Sequence, residues 1–178
     1  MKKDIEQKEK KQAGFSLVEV MVSLYILIVG ILGVIILTTT TTKAGAMSSS
    51  KLIAANLAQE GIEVVRNIRD LNYENPEGCA WTCWHAAVSA ALGSYLVQYD
   101  DTALRPFADT PLLYNPTSGL YSYTSGSASK YNFKRVITLA DTNPPNSGTS
   151  TKIVSTVTWT ANGQSHSLVV EDDFWNWR

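Results

Sequence analysis

The chain has 178 residues, a net charge of −1 and a pI near 6.1. This is room for one domain with a sizeable core, and it excludes the strongly basic balance of a bulk nucleic-acid binder. Near-neutral mean hydropathy conceals an asymmetry: a long apolar run fills much of the first third, and a Thr/Ser- and aromatic-rich chain of β character follows. Such a break predicts an anchor joined to a head domain.

Residues 1–14 read MKKDIEQKEKKQAG, in which Lys2, Lys3, Lys8, Lys10 and Lys11 outnumber Asp4, Glu6 and Glu9. The apolar run from Phe15 to Leu37 follows directly. As a helix it spans roughly 34 Å, enough for a hydrocarbon core of about 30 Å. The basic residues before it predict a cytoplasmic leader and a chain that crosses outward. The run fits a permanent anchor. It is long for the apolar part of a secretory signal, although Ala44-Gly45-Ala46 resembles a small-residue cleavage site that would leave Met47 as the first residue. Glu19 is an anomaly inside the run. A carboxylate at membrane depth costs about 2.5–3.5 kcal/mol on insertion scales and points to function. Close to the headgroups it costs little, and a helix N-terminus favours a negative charge.

The string Gly14-Phe15-Ser16-Leu17-Val18-Glu19, followed by VMVSLYILIVGILGV, resembles the type IV prepilin family. The resemblance implies that a prepilin peptidase cuts between Gly14 and Phe15 on the cytoplasmic side, and that the same enzyme methylates the new amine of Phe15. It implies an assembly role for Glu19, whose carboxylate would neutralise the Phe15 amine within the chain or on a neighbouring subunit. The physical case is direct: a cationic amine at the positive end of a helix dipole needs a partner, more so in a filament core of low dielectric. The implied partners are the peptidase/methyltransferase, other pilin subunits, the inner-membrane assembly machinery and, before assembly, the lipid bilayer. The implied location is a single-pass membrane precursor with its head outside, and then a surface filament. Many major pilins carry a proline within the apolar half, and none occurs here. The run is more similar to minor pilins of the PilV type, or to minor pseudopilins of a type II secretion system. Gly30 and Gly33 also fit close helix packing in a membrane.

Thr38 to Thr42 are poor helix formers in isolation and read either as a linker or as a helix leaving the membrane. Periodicity resumes at Ile53, Leu57, Gly61, Val64, Ile68 and Leu71, spaced three or four apart. Glu60, Glu63, Arg66, Asn67 and Asp70 take other positions, and no proline precedes Pro76. One helix over 15–71 is therefore predicted, with 1–14 a removed leader and 72–178 the head.

Residues 72–94 read as loop with a short helix near Ala86–Leu92. Cys79 and Cys83 fit a small disulfide loop in an oxidising compartment, or two free thiols; with His85 they supply only three of the four ligands of a structural zinc site. Strands are predicted at Ser94–Tyr99, at Leu112–Tyr114 and Leu120–Tyr123 around Asn115–Gly119, and at Tyr131–Leu139. The clearest hairpin joins Lys152–Thr160 to Ser165–Glu171 through Asn162-Gly163, a type I′ turn signal. Ile153, Val157 and Trp159 share one face of it. The closing Glu171 to Arg178 reads as an edge strand and aromatic plug over the core, with an exposed aromatic patch for a partner subunit as the sharper alternative.

The predicted class is α+β and pilin-like: one long N-terminal helix, embedded in the membrane in its first half, packed on a C-terminal antiparallel sheet. Catalytic and phosphate-binding motifs are not found, so the expectation is a structural subunit, not an enzyme, with no cofactor, metal or small-molecule ligand. Asp100, Asp101 and Asp109 read as turn caps. Arg66, Arg69, Lys130, Lys134, Arg135 and Lys152 would form a basic patch only if they shared a face. The function expected is a minor pilin of a type IV pilus. The alternatives are a type II secretion pseudopilin, a competence-pilus subunit, or an anchored or secreted binding module.

Overall fold

The computed structural model describes residues 14, 16–73, 93–141 and 150–175. Two compact units emerge, Met1–Lys43 and Ala44–Arg178. A single helix α1, Leu17–Tyr73, contributes to both. The loop and short helix expected over 72–94 fall mostly outside the described residues, as do Cys79, Cys83 and His85.

In the first unit the threonine run is helix and not linker. Each hydroxyl has a carbonyl one turn back: Thr38 Oγ1 donates to Val34 O at 2.8 Å, Thr40 Oγ1 to Ile36 O at 3.0 Å and Thr42 Oγ1 to Thr38 O at 2.8 Å. Thr39 and Thr41 bond to Ile35 O and Leu37 O in the same way. Back-bonding of this kind satisfies the hydroxyl without a solvent partner, so five threonines can continue an apolar helix despite modest propensity.

In the second unit, α1 from Ala44 onward packs on a five-stranded antiparallel sheet of order β2-β1-β6-β7-β8. The strands are β1 Gly93–Leu96, β2 Arg105–Pro106, β6 Lys134–Asp141, β7 Ser150–Ala161 and β8 Gln164–Trp175. A small sheet of order β4-β3-β5 joins Leu113–Tyr114 (β3) to Tyr121–Ser122 (β4) and Ser127–Ala128 (β5). The buried helix stripe is Ala54, Leu57, Ala58, Gly61, Ile62, Val64, Val65, Ile68 and Arg69, at the spacing of one apolar face. Leu71, expected on that stripe, lies off it and is exposed.

The long hairpin forms as predicted. Asn162 and Gly163 take φ of 53° and 77°, both positive as a type I′ turn requires. Residues 151, 153, 155, 157, 159 and 161 of β7 all face the core, so the Ile153, Val157 and Trp159 face holds. The Asn115–Gly119 turn also holds: Asn115 Oδ1 accepts from Thr117 N at 3.0 Å, and Gly119 N donates to Asn115 O at 2.8 Å.

Several strand boundaries move: both hairpin strands run longer, to Ser150–Ala161 and Gln164–Trp175, and two other shifts have a visible local cause. The strand predicted from Tyr131 begins at Lys134, because Asn132 has φ 50°, a left-handed conformation that asparagine tolerates and an extended strand does not. The strand predicted to run to Tyr99 ends at Leu96. The Asp101 carboxylate accepts from Gln98 N at 2.9 Å while Asp101 N donates to Gln98 O at 3.1 Å, which turns the chain. Asp101 thus caps a turn as expected, and its carboxylate also accepts from Arg105 Nε at 2.7 Å.

Helix and sheet are joined by polar contacts inside the core. Trp159 Nε1 donates to Ser50 Oγ at 3.1 Å, and both residues are buried. An orphaned buried donor costs about 1–3 kcal/mol. Ser50→Ala is expected to destabilise the head by about that amount, read as a lower midpoint in thermal unfolding followed by tryptophan fluorescence.

Candidate functional site

Of the residues singled out for processing and assembly, Glu19 lies in α1 and Gly14 precedes it. Gly14 is exposed, and Phe15 lies outside the described residues. The helix opens where Val20 N donates to Ser16 O at 3.2 Å, placing Glu19 in the first turn. The free amides of that turn favour a carboxylate there.

From Leu17 to Leu37 every large apolar side chain is exposed in the isolated chain, between Val20 at 45% and Leu17 at 76%. This section is long and apolar enough to cross a membrane. An apolar surface of this extent requires a bilayer or other protein around it. At about 100° per residue, Glu19, Ser23, Gly30 and Gly33 fall within an arc of roughly 80°. The Ser23 hydroxyl is already satisfied by Val20 O at 2.9 Å. The same arc carries the large apolar Ile26 and Leu37, so the polar and small residues share that side with apolar bulk.

In the head, the cations that might have formed a basic patch are scattered and mostly neutralised. Arg66 bonds to Glu63 and to Asp172, Lys134 Nζ to Asp109 at 2.7 Å, and Lys152 to Glu171. Arg69 is buried, lies 4.5 Å from the Phe174 ring centroid and pairs with Asp70. Phe174 is the plug expected of the chain's end, at 2% exposure, whereas Trp175 is turned outward.

Arg135 is the largest departure from the sequence reading. It is wholly buried. Its guanidinium donates to Leu57 O at 2.7 Å, to Glu60 Oε1 at 3.0 Å and to Val97 O, so it serves as an internal staple and not as surface charge. Gly61 makes this geometry available. It sits one turn after Leu57, and a Cβ there would lie 2.9 Å from Ile137 Cδ1, 2.9 Å from Ser155 Oγ and 3.0 Å from Arg135 Cδ. The missing side chain uncovers the Leu57 carbonyl for the guanidinium. Beside it, burial pushes the Tyr123 phenol up, against the opposing charge of Arg135, and its hydroxyl donates to Arg135 O at 3.1 Å.

Among the described residues no group of three or more His, Cys, Asp or Glu side chains converges as a metal site would. The Cys79–Cys83 pairing belongs to residues outside the description.

Residues 10–37 match the family model of the prokaryotic N-terminal methylation motif. No curated protein and no solved structure matches the chain.

Proposed function

We propose that this chain is a minor pilin of a type IV pilus, a structural subunit and not an enzyme. The N-terminal methylation motif makes it a prepilin-type substrate. The carrying observation is the coincidence of that motif with Glu19 in the first turn of an exposed apolar helix that continues into an α+β head. In this reading the precursor is held in the inner membrane by α1 with its head outside. The peptidase hydrolyses the Gly14–Phe15 bond with one water, releasing the basic leader, and a methyl group passes from a sulfonium-type methyl donor to the Phe15 amine, which gives up a proton. The subunit then leaves the bilayer by exchanging lipid around Leu17–Leu37 for the helices of other subunits. Because the apolar surface is exchanged and not exposed, the transfer avoids the cost of wetting it. The absence of proline from the apolar run supports the minor-pilin form. A type II secretion pseudopilin or a competence-pilus subunit would share every step up to assembly.

Gly14→Val tests the processing step. A β-branched residue at the scissile position is expected to leave the full-length precursor in the membrane, seen as loss of the faster-migrating mature band on gels. Unchanged maturation of Gly14→Val would contradict processing at this bond.

A further inference from the structure

A tyrosine groove is built wholly from the second unit. It has a volume of about 490 Å³ and is lined by Ile53, Tyr114, Tyr121, Ser129, Lys130 and Tyr131 among others. Sites for small ligands commonly enclose about 300–1,000 Å³. The small sheet supplies one wall. Tyr114 of β3 and Tyr121 of β4 are register partners, with ring centroids 5.1 Å apart. The chain enters β5 through Gly126, whose φ is 128° and whose Cβ would lie 2.7 Å from Tyr114 O, so a glycine is needed to close this sheet.

The lining makes three demands on an occupant. The aromatic faces are negative at their centres and favour polarised C–H groups. The hydroxyls favour a guest dense in hydrogen-bonding groups. Burial first, then neighbouring Tyr114 and Tyr131, push the Tyr121 phenol up, so it stays a neutral donor. The Ser129 hydroxyl is buried with no hydrogen-bond partner among the described residues, a state that native structures rarely keep. A change of rotamer offers that hydroxyl to a polar guest. The third demand is for negative charge. Lys130 is exposed, its ammonium stands 5.4 Å from the Tyr131 ring centroid, and no carboxylate pairs with it among the described residues. No carboxylate is among the described lining residues either. C–H faces, many hydroxyls and one carboxylate together describe a sugar acid. An aromatic acid would leave the hydroxyls unused. A nucleic-acid strand needs a row of cations along its phosphates, and Lys130 is the one cation among the described lining residues.

We propose that this groove binds a uronic-acid residue of a polysaccharide, with the sugar ring among the tyrosines and its carboxylate on Lys130. One such ring fills only part of the volume, so its neighbours in the polymer enter with it. The site stands on the head alone and is independent of how the N-terminal segment is processed or assembled.

The test uses the full chain in a detergent without a sugar headgroup and titrates it with tri-galacturonate, reading binding by saturation-transfer NMR. Transfer to the ring protons of the trisaccharide is expected. Its methyl ester, which keeps the rings and loses the charge, is expected to bind about tenfold more weakly, and Lys130→Glu to weaken the acid by about the same factor because like charges then meet. Lys130→Arg keeps the cation and is expected to keep the binding. Position 130 is exposed, so neither variant is expected to move the thermal midpoint of the head. Absence of transfer, equal binding of the ester, undiminished binding by Lys130→Glu or loss of binding in Lys130→Arg overturns the site. Galacturonic acid monomer binding as tightly as the trisaccharide overturns the polymer in favour of a free sugar. A thymidine oligonucleotide of equal charge that binds as tightly or more so, and is weakened by Lys130→Glu, overturns it in favour of single-stranded nucleic acid.

Discussion

Replacing Glu19 by alanine is expected to abolish incorporation into filaments while leaving the precursor inserted in the membrane and its head folded. Processing at Gly14 would create a cationic α-amine just before the positive end of α1. In the proposed pairing, Glu19 neutralises that charge when the helix enters the filament core. Removing one partner of a buried ion pair costs about 3–5 kcal/mol, or more than about a hundredfold in an assembly equilibrium. In the bilayer the amine can stay near the headgroups, so the same change has little effect on the precursor. Incorporation is read by the amount of the chain in sheared filaments against that in membranes. Glu19→Gln separates charge from hydrogen bonding: it keeps the side chain's shape and is expected to fail nearly as badly. Normal incorporation of both variants would remove the pairing.

Arg135→Ala is expected to have the largest effect on the head. The change opens a cavity and strips the buried donors from Leu57 O, Val97 O and Glu60. The cavity and the carbonyls left without a donor together cost about 3–5 kcal/mol, out of a stability of about 5–15 kcal/mol for a typical domain, with a fall in unfolding midpoint of roughly 10–20 °C. Arg135→Met fills most of the space with an apolar chain. Glu60 is 31% exposed and can then turn to water, so this variant is expected to lose much less. Gly61→Leu acts on the same contact from the helix side. It places a side chain against Ile137, Ser155 and Arg135, and overpacking of this kind costs about 1–3 kcal/mol or more, in addition to cutting the guanidinium off from Leu57 O. Circular dichroism melts of the full chain in detergent measure all three. An Arg135→Ala midpoint equal to that of the unaltered chain would contradict the staple.

The elements that were legible in the sequence are those with strong local signals. The Asn162-Gly163 turn dictates its hairpin because both residues accept positive φ. The Asn115–Gly119 turn is similarly local. The threonine run was ambiguous because propensity alone weighs against helix, whereas the back-bonds to Val34, Ile36 and Thr38 are a property of the helix once formed. Arg135 was left among candidate surface cations because of its charge, although it alternates with Phe133, Ile137 and Leu139, all buried, and that pattern was available. What the pattern could not supply was the pairing of Arg135 with Leu57 and Glu60, which depends on the sheet lying against the helix at Gly61. The short strands β2 and β5 have two residues each, too few for any period to show. Of the assembly segment, Gly14, Phe15 and Glu19 were legible as a motif because leader charge, Gly-Phe, an acidic residue and an apolar run coincide within a short stretch.

The most direct test of the filament-subunit account is the mass of the N-terminal peptide of the chain recovered from its native membrane or filament. The account predicts a peptide that begins at Phe15 and carries one methyl group on its amine. A peptide beginning at Met47 would make the apolar run an ordinary secretory signal, and an intact Met1 in a host that possesses the processing enzyme would leave only an anchored head; either contradicts the account.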